Sequence, residues 1–320
     1  MKKNLLPNLF SVTAWAAAMI VLLSTSTAHA QVIFAAQTSN DKIGEYTTSG
    51  ATINAALISG VNPTEIAISG SDIFVASGNG GNPGTIGEYT TSGGTVNADL
   101  ITVPNNGATG GFNPADGVVV SGSDLFVLNQ NGTIGEYTTS GATVNASLIT
   151  GSYNSSDLTI SGSDLFLSNT GDGNPGDGYI SEYTTSGATV NASLITGLTS
   201  PAGIAISGSD LFVTSFTGTD QIGEYTTSGA TVNAALITNV PGNPSALAVS
   251  GSDLFVSYDA ANEIREYTTS GATVNADLIT GVPNPGSLDI PASVPEPSTW
   301  AMMFGGLLCL IGVQCFKRKA

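Results

Sequence analysis

The chain alternates short apolar runs with clusters of turn-forming residues, and this alternation recurs along most of its length. One period reads EIAIS, GSD, IFVAS, a variable loop, TIGEY, TTSG, GTVNADLI and a second variable loop. Runs rich in Ile, Val, Phe, Tyr and Thr that are bounded by Gly, Ser, Asn, Asp or Pro are typical of β-strands separated by turns. The pattern predicts four strands per period, named A to D in that order, and no convincing helix outside the termini.

The repeat is long and regular enough to predict the architecture. A phrase close to EYTTSGATVNASLIT occurs six times, at intervals of 42 to 48 residues. Four strands in a period of this length are typical of one blade of a β-propeller. The first B strand is expected at Val32 to Ala35 and the last A strand at Leu288 to Ile290. We therefore predict an all-β, six-bladed propeller over residues 31–293, in which these two strands share the closing blade, because closure removes exposed strand edges. A β-solenoid is the structural alternative.

The two ends of the chain predict export. Lys2 and Lys3, an apolar stretch and the terminal Ala28-His29-Ala30 indicate a cleaved signal peptide over residues 1–30. Residues 300–316 are uncharged and are followed by Lys317, Arg318 and Lys319. Seventeen residues is about the lower limit for a transmembrane helix, and the basic tail is expected on the cytoplasmic side. A buried core helix is the alternative for this segment.

The sequence VPEPSTW precedes this apolar span, and the combination resembles a known sorting signal. Residues 294–320 contain Pro295-Glu296-Pro297, an apolar span and a basic cluster in that order. This resembles the PEP-CTERM signal of Gram-negative bacteria. The resemblance implies that Pro295, Glu296 and Pro297 are recognised by an exosortase, a membrane-bound processing enzyme. It also implies transit through the inner membrane to the cell surface or medium, often in bacteria that make exopolysaccharide.

Composition excludes several functions for the segment between the two signals. Both cysteines, Cys309 and Cys315, lie in the apolar span, and the only histidine, His29, lies in the signal peptide. Ser-His and Cys-His catalysis are therefore excluded for the exported segment. Lys42 and Arg265 are its only basic residues, so it lacks the cations that nucleic-acid binding requires. Two carboxylates suffice for glycoside hydrolysis, which leaves a carboxylate-only mechanism open.

The connections between strands predict one structural rim and one variable rim. The A–B turn, S-G-S-D, and the C–D turn, T-T-S-G, recur with little change, whereas the B–C and D–A loops differ between blades. Function tends to lie in variable loops on a rigid scaffold. Aromatic rings beside amides and carboxylates suit sugars, so a glycan is the expected ligand, although the same rings could instead cover blade ends. The candidate residues are Phe112, Asn113, Tyr153, Asn154, Phe216, Asp220, Tyr258 and Asp259.

One loop contains a candidate calcium site. Residues 171–178 place oxygen donors of Asp172, Asn174 and Asp177 among flexible glycines, which could wrap Ca²⁺. The loop lacks the residue order and the final Glu of an EF-hand, so a plain flexible loop is the alternative. No other cofactor is expected.

Acidic and aromatic residues that recur in every blade are expected to support the blade. They include Glu45 and its counterparts in strand C and Asp72 and its counterparts after the A–B turn, with a cation-collecting ring as the alternative. The recurrent Tyr and Phe are expected to pack between blades. The function that follows is a non-catalytic propeller of the cell surface or matrix, with exopolysaccharide as a candidate partner. A calcium-dependent hydrolase or lactonase is the alternative.

Overall fold

The computed structural model describes residues 31–78, 84–103, 115–152, 154–172, 174–216 and 220–291, and these form six four-stranded antiparallel sheets. No helix in these ranges is long and apolar enough to cross a membrane. The predicted signal peptide, the sorting motif Pro295-Glu296-Pro297 and the predicted span 300–316 lie outside the described residues.

The sheets are blades of a propeller, and each contains one A, B, C and D strand in spatial order. Blade 1 consists of β24 (Pro285–Asp289), β1 (Val32–Gln37), β2 (Lys42–Thr47) and β3 (Thr52–Ser59). Blade 2 consists of β4 (Pro63–Ser69), β5 (Asp72–Ser77), β6 (Thr85–Thr90) and β7 (Thr95–Thr102), and blade 3 of β8 (Ala115–Ser121), β9 (Asp124–Asn129), β10 (Thr133–Thr138) and β11 (Thr143–Ile149). Blade 4 consists of β12 (Ser155–Ser161), β13 (Asp164–Asn169), β14 (Gly178–Thr184) and β15 (Thr189–Leu198), and blade 5 of β16 (Pro201–Ser207), β17 (Asp210–Ser215), β18 (Gln221–Thr226) and β19 (Thr231–Ile237). Blade 6 consists of β20 (Pro244–Ser250), β21 (Asp253–Tyr258), β22 (Glu263–Thr268) and β23 (Thr273–Thr280).

The predicted ring closure is confirmed. Strand β24 pairs with β1 in antiparallel register, and Leu288 lies opposite Ala35. Beyond the strands, the Thr38 amide donates to the Asn284 carbonyl at 3.1 Å. Gln31 Nε2 donates to the Pro291 carbonyl at 3.2 Å. The two ends of the described propeller therefore share one sheet, in which β24 is the A strand of blade 1 and pairs with β1, its B strand.

The predicted division into two rims is also confirmed. In blade 2, the Thr91 amide of the C–D turn donates to the carbonyl of Ser71 in the A–B turn at 2.8 Å. Thr90 Oγ1 accepts the Gly94 amide at 2.9 Å and so closes the C–D turn on itself. The second threonine of the C–D turn makes the equivalent bond to the A–B turn in blades 3 to 6, whereas in blade 1, which has no A–B turn, the Thr48 amide donates to the Gln31 carbonyl at 2.9 Å. The two invariant turns are therefore joined by backbone hydrogen bonds, which explains why their sequences vary so little.

The glycine of each C–D turn also joins neighbouring blades. Gly229 of blade 5 has φ +87° and lies against the outer strand of blade 4, where a Cβ atom would sit 2.6 Å from the Leu194 carbonyl oxygen. Such a distance requires backbone movement. The same glycine-to-leucine contact joins Gly50 to Leu278, Gly93 to Leu57, Gly141 to Leu100, Gly187 to Leu148 and Gly271 to Leu236. A side-chain-free position is therefore needed at each junction around the ring.

We predict that Gly229→Ala destabilises the propeller by about 2–4 kcal/mol, combining the cost of a positive φ with overpacking at the junction. Gly208→Ala is the matched control, because Gly208 has φ +61° in the A–B turn of the same blade but no atom within 4 Å of its would-be Cβ. It should cost only about 1–2 kcal/mol. Urea unfolding of both variants measures the difference, and equal losses would disprove the junction contact.

The core lies between blades. Phe34, Phe74, Phe126, Phe166, Phe212 and Phe255, one from each B strand, are at most 2% exposed. Tyr46 packs in a cluster with Phe255 and Leu278 of the preceding blade, which confirms the predicted inter-blade packing of this tyrosine. The ring of Tyr46 also covers Gly44, whose would-be Cβ lies 2.7 Å from Tyr46 Cε2. Glycine leaves room for the aromatic ring at this position in blades 1, 2, 3 and 5, whereas blades 4 and 6 have Ser181 and Arg265 there.

The outer strand of each blade is bulged. In blade 2, Glu88 pairs with Asn97 and Ile86 with Ile101, which leaves extra residues in β7. Asn97 Oδ1 accepts the Asp99 amide at 3.2 Å, so the asparagine side chain satisfies a backbone group that the bulge frees. The same bond occurs at the asparagine of all six outer strands. Because bulges hinder pairing between edge strands, this asparagine protects the ring against edge-to-edge association.

Candidate functional site: the channel, the variable rim and the outer grooves

The six A strands enclose a central cavity of about 290 Å³. Its wall next to the invariant rim is aliphatic, with one Ile or Val from each blade in the same register. Farther from that rim the wall carries carboxylates, supplied by Glu65 of blade 2, Asp157 of blade 4 and Asp289 of blade 1. Blades 5 and 6 place Gly203 and Ala246 at the register of Glu65 and Asp157. The acids therefore line only part of the channel, and they break the symmetry of the repeat.

The channel carboxylates are shielded from bulk water, although each keeps some surface open to the cavity. Burial raises the pKa of Asp157 to about 7 and that of Asp289 to about 6. Burial also raises the pKa of Glu65 well above its usual value, and the nearby charges of Asp157 and Asp289 raise it further. Asp116, on the A strand between those of Glu65 and Asp157, has its pKa raised by burial to about 6. Part of this acidic set is therefore protonated near neutral pH.

The same carboxylates bind backbone amides of neighbouring A strands. Asp157 Oδ2 accepts the Ile204 amide of blade 5 at 2.8 Å, and Asp289 Oδ2 accepts the Ile68 amide of blade 2 at 2.7 Å. Ser287 donates to Glu65 and accepts the Ile66 amide at 3.2 Å. An A strand has no strand partner on its channel side, so its amides there need other acceptors. The acids therefore connect adjacent blades at the centre of the ring.

Sequence reasoning did not single out these acids. It concentrated on acids present in every blade, whereas Glu65 and Asp157 share a register that is acidic in only two blades, and Asp116 and Asp289 each occur in one blade at their register. The available signal was the departure of their A strands, EIAIS, DGVVV, DLTIS and SLDIP, from the apolar GIAIS and ALAVS of blades 5 and 6. A carboxylate that interrupts an otherwise apolar repeat is informative because burial of a charge is costly.

Only some of the predicted ligand-binding residues can be placed on the variable rim. Phe112, Asn113 and Tyr153 lie outside the described residues. The Phe216 side chain is partly exposed, and its amide donates to the Thr199 carbonyl at 3.0 Å. Asn154 has φ +60° and donates from Nδ2 to the Gly171 carbonyl at 3.1 Å. Both residues join a B–C loop to a D–A loop. Phe216 does so through its backbone, and Asn154 also through its side chain.

The remaining rim candidates take part in structural contacts. Asp220 Oδ2 accepts the Asn243 amide at 2.9 Å. Asp259 is half-buried, and burial raises its pKa to about 6. Tyr258 is 0% exposed, its hydroxyl lies 3.0 Å from that of Tyr267, and the Arg265 guanidinium lies 5.6 Å from its ring centroid. The Tyr258 ring therefore packs within blade 6 and presents no face to a ligand at the rim.

The predicted calcium loop is organised around one of its own carboxylates. Asp177 Oδ2 accepts the amides of Asp172 at 3.0 Å and Asn174 at 3.1 Å. Asn174 Nδ2 donates to the same oxygen at 3.3 Å. A cation would compete with these donors for Asp177. No group of three or more His, Cys, Asp or Glu suited to a metal is found within the described ranges, while a calcium site built also from carbonyl and amide oxygens remains a prediction.

A groove opens on the outside of the ring between blades 4 and 5. Its wall combines the acids Asp164 and Glu182 with the outer strand, whose Val190 is 52% exposed. Burial and the charge of Asp164 raise the pKa of Glu182. No hydrogen bond to the carboxylate of Glu182 or its strand-C counterparts is found in the described part of the chain. The other lining residues are Ser161, Phe166, Asn191, Leu194, Thr227 and Ser228.

The groove residues recur around the ring. Each outer strand has one half-exposed β-branched residue at the position of Val190, namely Ile53, Val96, Val144, Val232 or Val274. The pKa of the strand-C glutamate is raised by burial in all six blades, and by the neighbouring aspartate as well in five of them. Blade 1 is the exception, because Val32 takes the place of that aspartate opposite Thr47. The outer surface therefore repeats one arrangement of an aliphatic side chain beside acids.

Comparison with known proteins establishes the fold. No family model and no curated protein sequence matches the chain. Among solved structures, a nidogen/laminin complex matches with a TM-score of 0.57 and 12% identity, covering 83% of this chain and 100% of that chain. Virginiamycin B lyase from Staphylococcus aureus matches with a TM-score of 0.52 and 21% identity, covering 78% and 82%. A functionally unknown protein from Desulfotomaculum acetoxidans matches with a TM-score of 0.52 and 14% identity, covering 82% and 100%. At these identities the similarity extends to the propeller fold alone.

Proposed function

We propose that this chain is an exported, non-catalytic propeller that binds a polysaccharide of the cell surface or extracellular matrix through its repeated outer grooves. The observation that carries this proposal is the recurrence of one half-exposed aliphatic residue beside a strand-C glutamate in every blade. A polysaccharide presents the same chemical unit many times. Equivalent grooves around a ring can engage several such units, so weak contacts combine into stable retention.

The chemistry of the groove suits a sugar. Val190 offers an aliphatic surface to the apolar face of a pyranose, while Glu182, Asn191 and Ser228 offer polar groups to hydroxyls. The formal net charge of the full chain is −17, and each groove contains at least one acid. Electrostatic repulsion disfavours an acidic polymer. We therefore expect a neutral or amino-bearing polysaccharide, and this outer surface replaces the variable rim as the principal expected binding face.

Export is part of the proposal. The signal peptide 1–30 and the PEP-CTERM-like segment 294–320 would deliver the propeller across the inner membrane, with the C-terminal helix as a membrane anchor before or after exosortase processing. Replacing Pro295, Glu296 and Pro297 by alanine should trap the chain in the membrane fraction if the motif is processed. An unchanged distribution between membrane and medium would reject the sorting role.

The binding test blocks two grooves and leaves the rest of the ring intact. In the described propeller, Val190→Lys with Val232→Lys should lower the apparent affinity for a neutral or amino polysaccharide on the order of tenfold, because multivalent retention depends on simultaneous engagement. Ser193→Lys with Ala235→Lys adds the same charge at exposed positions of the same two strands and should change retention little. Retention on immobilised polysaccharide measures both. Equal losses, or no retention by the unaltered protein, would reject the groove.

The channel acids favour a second candidate, a calcium-dependent hydrolase or lactonase. Carboxylates with raised pKa in a cavity are a frequent feature of active sites. The hydrogen bonds from neighbouring strands to Asp157 and Asp289 favour a structural role instead. Assays on lactone and glycoside panels, with and without calcium, distinguish the two. Turnover that disappears in Asp157→Asn, while the melting temperature is retained, would replace the binding role with an enzymatic one.

A further inference from the structure

The last residue of strand B is a buried polar position that differs from blade to blade. It is Gln37, Ser77, Asn129, Asn169, Ser215 or Tyr258, and none is more than 7% exposed. In two blades this residue bonds the strand-C tyrosine of its own sheet. Gln37 Nε2 lies 3.2 Å from Tyr46 Oη, and Tyr258 Oη lies 3.0 Å from Tyr267 Oη. The position thus supplies a partner for a hydroxyl that is otherwise enclosed by protein.

Blade 3 departs from this arrangement. Asn129 occupies the position and is 2% exposed, while Tyr137 is 1% exposed. Neither Asn129 Oδ1 nor Tyr137 Oη has a hydrogen-bond partner among the protein atoms. An unpaired buried polar atom costs about 1–3 kcal/mol, and this blade contains two. Such pairs call for a specific explanation.

A flipped amide does not explain them, because the orientation of Asn129 is fixed by its neighbours. Asn129 Nδ2 donates to Thr133 Oγ1 at 2.9 Å. The Thr133 hydroxyl uses its own proton in a 2.8 Å bond to Asn131 Oδ1, so it can only accept from Asn129. Exchange of the amide nitrogen and oxygen would bring two acceptors together. Asn129 Oδ1 is therefore the atom without a partner.

Blade 1 shows which group bonds the equivalent tyrosine when strand B ends in glutamine. Gln37 Nε2 reaches both Tyr46 Oη and the Ala55 carbonyl, the latter at 2.9 Å. Tyr137 folds over Gly135 as Tyr46 folds over Gly44, with Oη 3.0 Å and 2.7 Å from the respective would-be Cβ atoms. Asn129 has one methylene fewer than Gln37 and turns its amide nitrogen to Thr133. It therefore does not occupy the position that the Gln37 amide takes between the tyrosine and the outer strand.

We propose that one buried water molecule occupies this position in blade 3. It would accept a hydrogen bond from Tyr137 Oη and donate one to Asn129 Oδ1. Its second proton would go to the carbonyl of Ala146, which stands in the repeat where Ala55 stands in blade 1. Three hydrogen bonds are typical of an internal water. The site admits water rather than an apolar ligand because its defining atoms are polar, and it is independent of the proposed binding function.

Two reciprocal substitutions test the water. Asn129→Gln should let the amide span the site as Gln37 does, expel the water and raise the melting temperature by about 2–4 °C, the shift expected for one hydrogen-bond equivalent in a domain of this size. Gln37→Asn should create a water site in blade 1 and lower the melting temperature by a similar amount. A crystal structure at atomic resolution should show a solvent peak beside Tyr137 in the unaltered protein and none in Asn129→Gln.

Tyr137→Phe provides a second test of the water if Asn129→Gln folds poorly. If Tyr137 Oη holds a water, the phenylalanine variant loses a hydrogen bond and should melt at a lower temperature. If Oη truly lacks a partner, removing it relieves an unsatisfied group, and the variant should melt at a higher temperature. A stabilised Tyr137→Phe variant, or a crystal structure of the unaltered protein with no solvent atom beside Asn129 and Tyr137, would overturn the proposal.

Discussion

A propeller that ends at Thr280 should lose most of its stability, because it lacks the strand that closes the ring. Ending the propeller at Thr280 deletes Val282 and Leu288, which are 1% and 6% exposed, and leaves β1 paired with β2 alone. Burial of each of these side chains contributes roughly 1.5–3 kcal/mol, and each lost hydrogen bond about 1 kcal/mol more. The loss should therefore exceed about 5 kcal/mol, a large share of the stability of a typical domain.

Differential scanning calorimetry of residues 31–280 and 31–291 measures this loss. The longer segment retains β24 and serves as the control for removal of the C-terminal region. We expect one cooperative transition for 31–291, and a broad transition at much lower temperature for 31–280. A peptide containing residues 281–291 should partly restore the transition when added in excess, since it can pair with β1. Equal melting temperatures for the two segments would show that closure contributes little.

Much of the fold could be predicted because the repeat makes every strand visible several times. The A–B and C–D turns have almost fixed sequences, so their shared rim followed from chain order alone. The closing blade followed from a B strand at the start and an A strand at the end. The strands observed extend a few residues beyond the predicted runs, as in β4, which begins at Pro63 rather than Ile66. Polar or small residues at strand ends carry too weak a signal to place a boundary.

The candidate site was predicted less well, because the sequence does not reveal which side chains are buried in structural contacts. Tyr258 was expected to face a ligand, yet it packs against Tyr267 and Arg265. Tyr258 is the last residue of strand B, a position that is Gln, Ser or Asn in the other blades, so no pattern indicated that it is buried. The channel acids were missed for a related reason. Their function as acceptors for A-strand amides depends on the curvature that brings adjacent blades together, and strand periodicity carries no information about it.

The outer grooves could have been recognised from the repeat. Val190 and its counterparts lie three residues after the C–D turn glycine, on a strand that alternates little in polarity. An aliphatic residue at the same position in every outer strand is therefore visible in the sequence alone. What the sequence could not supply is the pairing of each groove with the turn of the next blade, since that contact joins residues from different repeats.

The second large effect concerns pH. We expect the melting temperature of the propeller to fall as pH rises from about 5 to about 8. The pKa of Asp157 is raised to about 7 in the folded protein, and those of Asp289 and Asp116 to about 6, from the ordinary aspartate value of 3.8. At pH values between the unfolded pKa and the folded pKa of these carboxyls, the folded protein holds protons that the unfolded chain has released. Stability therefore decreases with rising pH across this window, by linkage.

The size of the effect follows from the same relation. Each raised carboxyl removes about 1.4 kcal/mol of stability for every unit by which its folded pKa exceeds its unfolded value, once it is ionised. The partial exposure of these acids to the channel reduces the loss below the value for a fully enclosed carboxyl, while the mutual proximity of Glu65, Asp157 and Asp289 increases it. Blades 5 and 6 place no ionisable side chain on the channel wall to offset these charges. Several carboxyls ionising together should lower the melting temperature by several degrees.

A variant distinguishes the contribution of the channel carboxyls to the pH dependence from that of the many acids on the surface. Asp157→Asn cannot ionise, so it should flatten the fall in melting temperature between pH 5 and 8, even if it lowers stability at pH 5. Asp99→Asn removes the same charge from an exposed position on the outer strand β7 and should leave the slope nearly unchanged. Melting curves at a fixed ionic strength make the comparison. If Asp157→Asn keeps the slope of the unaltered protein, the channel carboxyls are not the cause, and repulsion among surface acids accounts for the pH dependence instead.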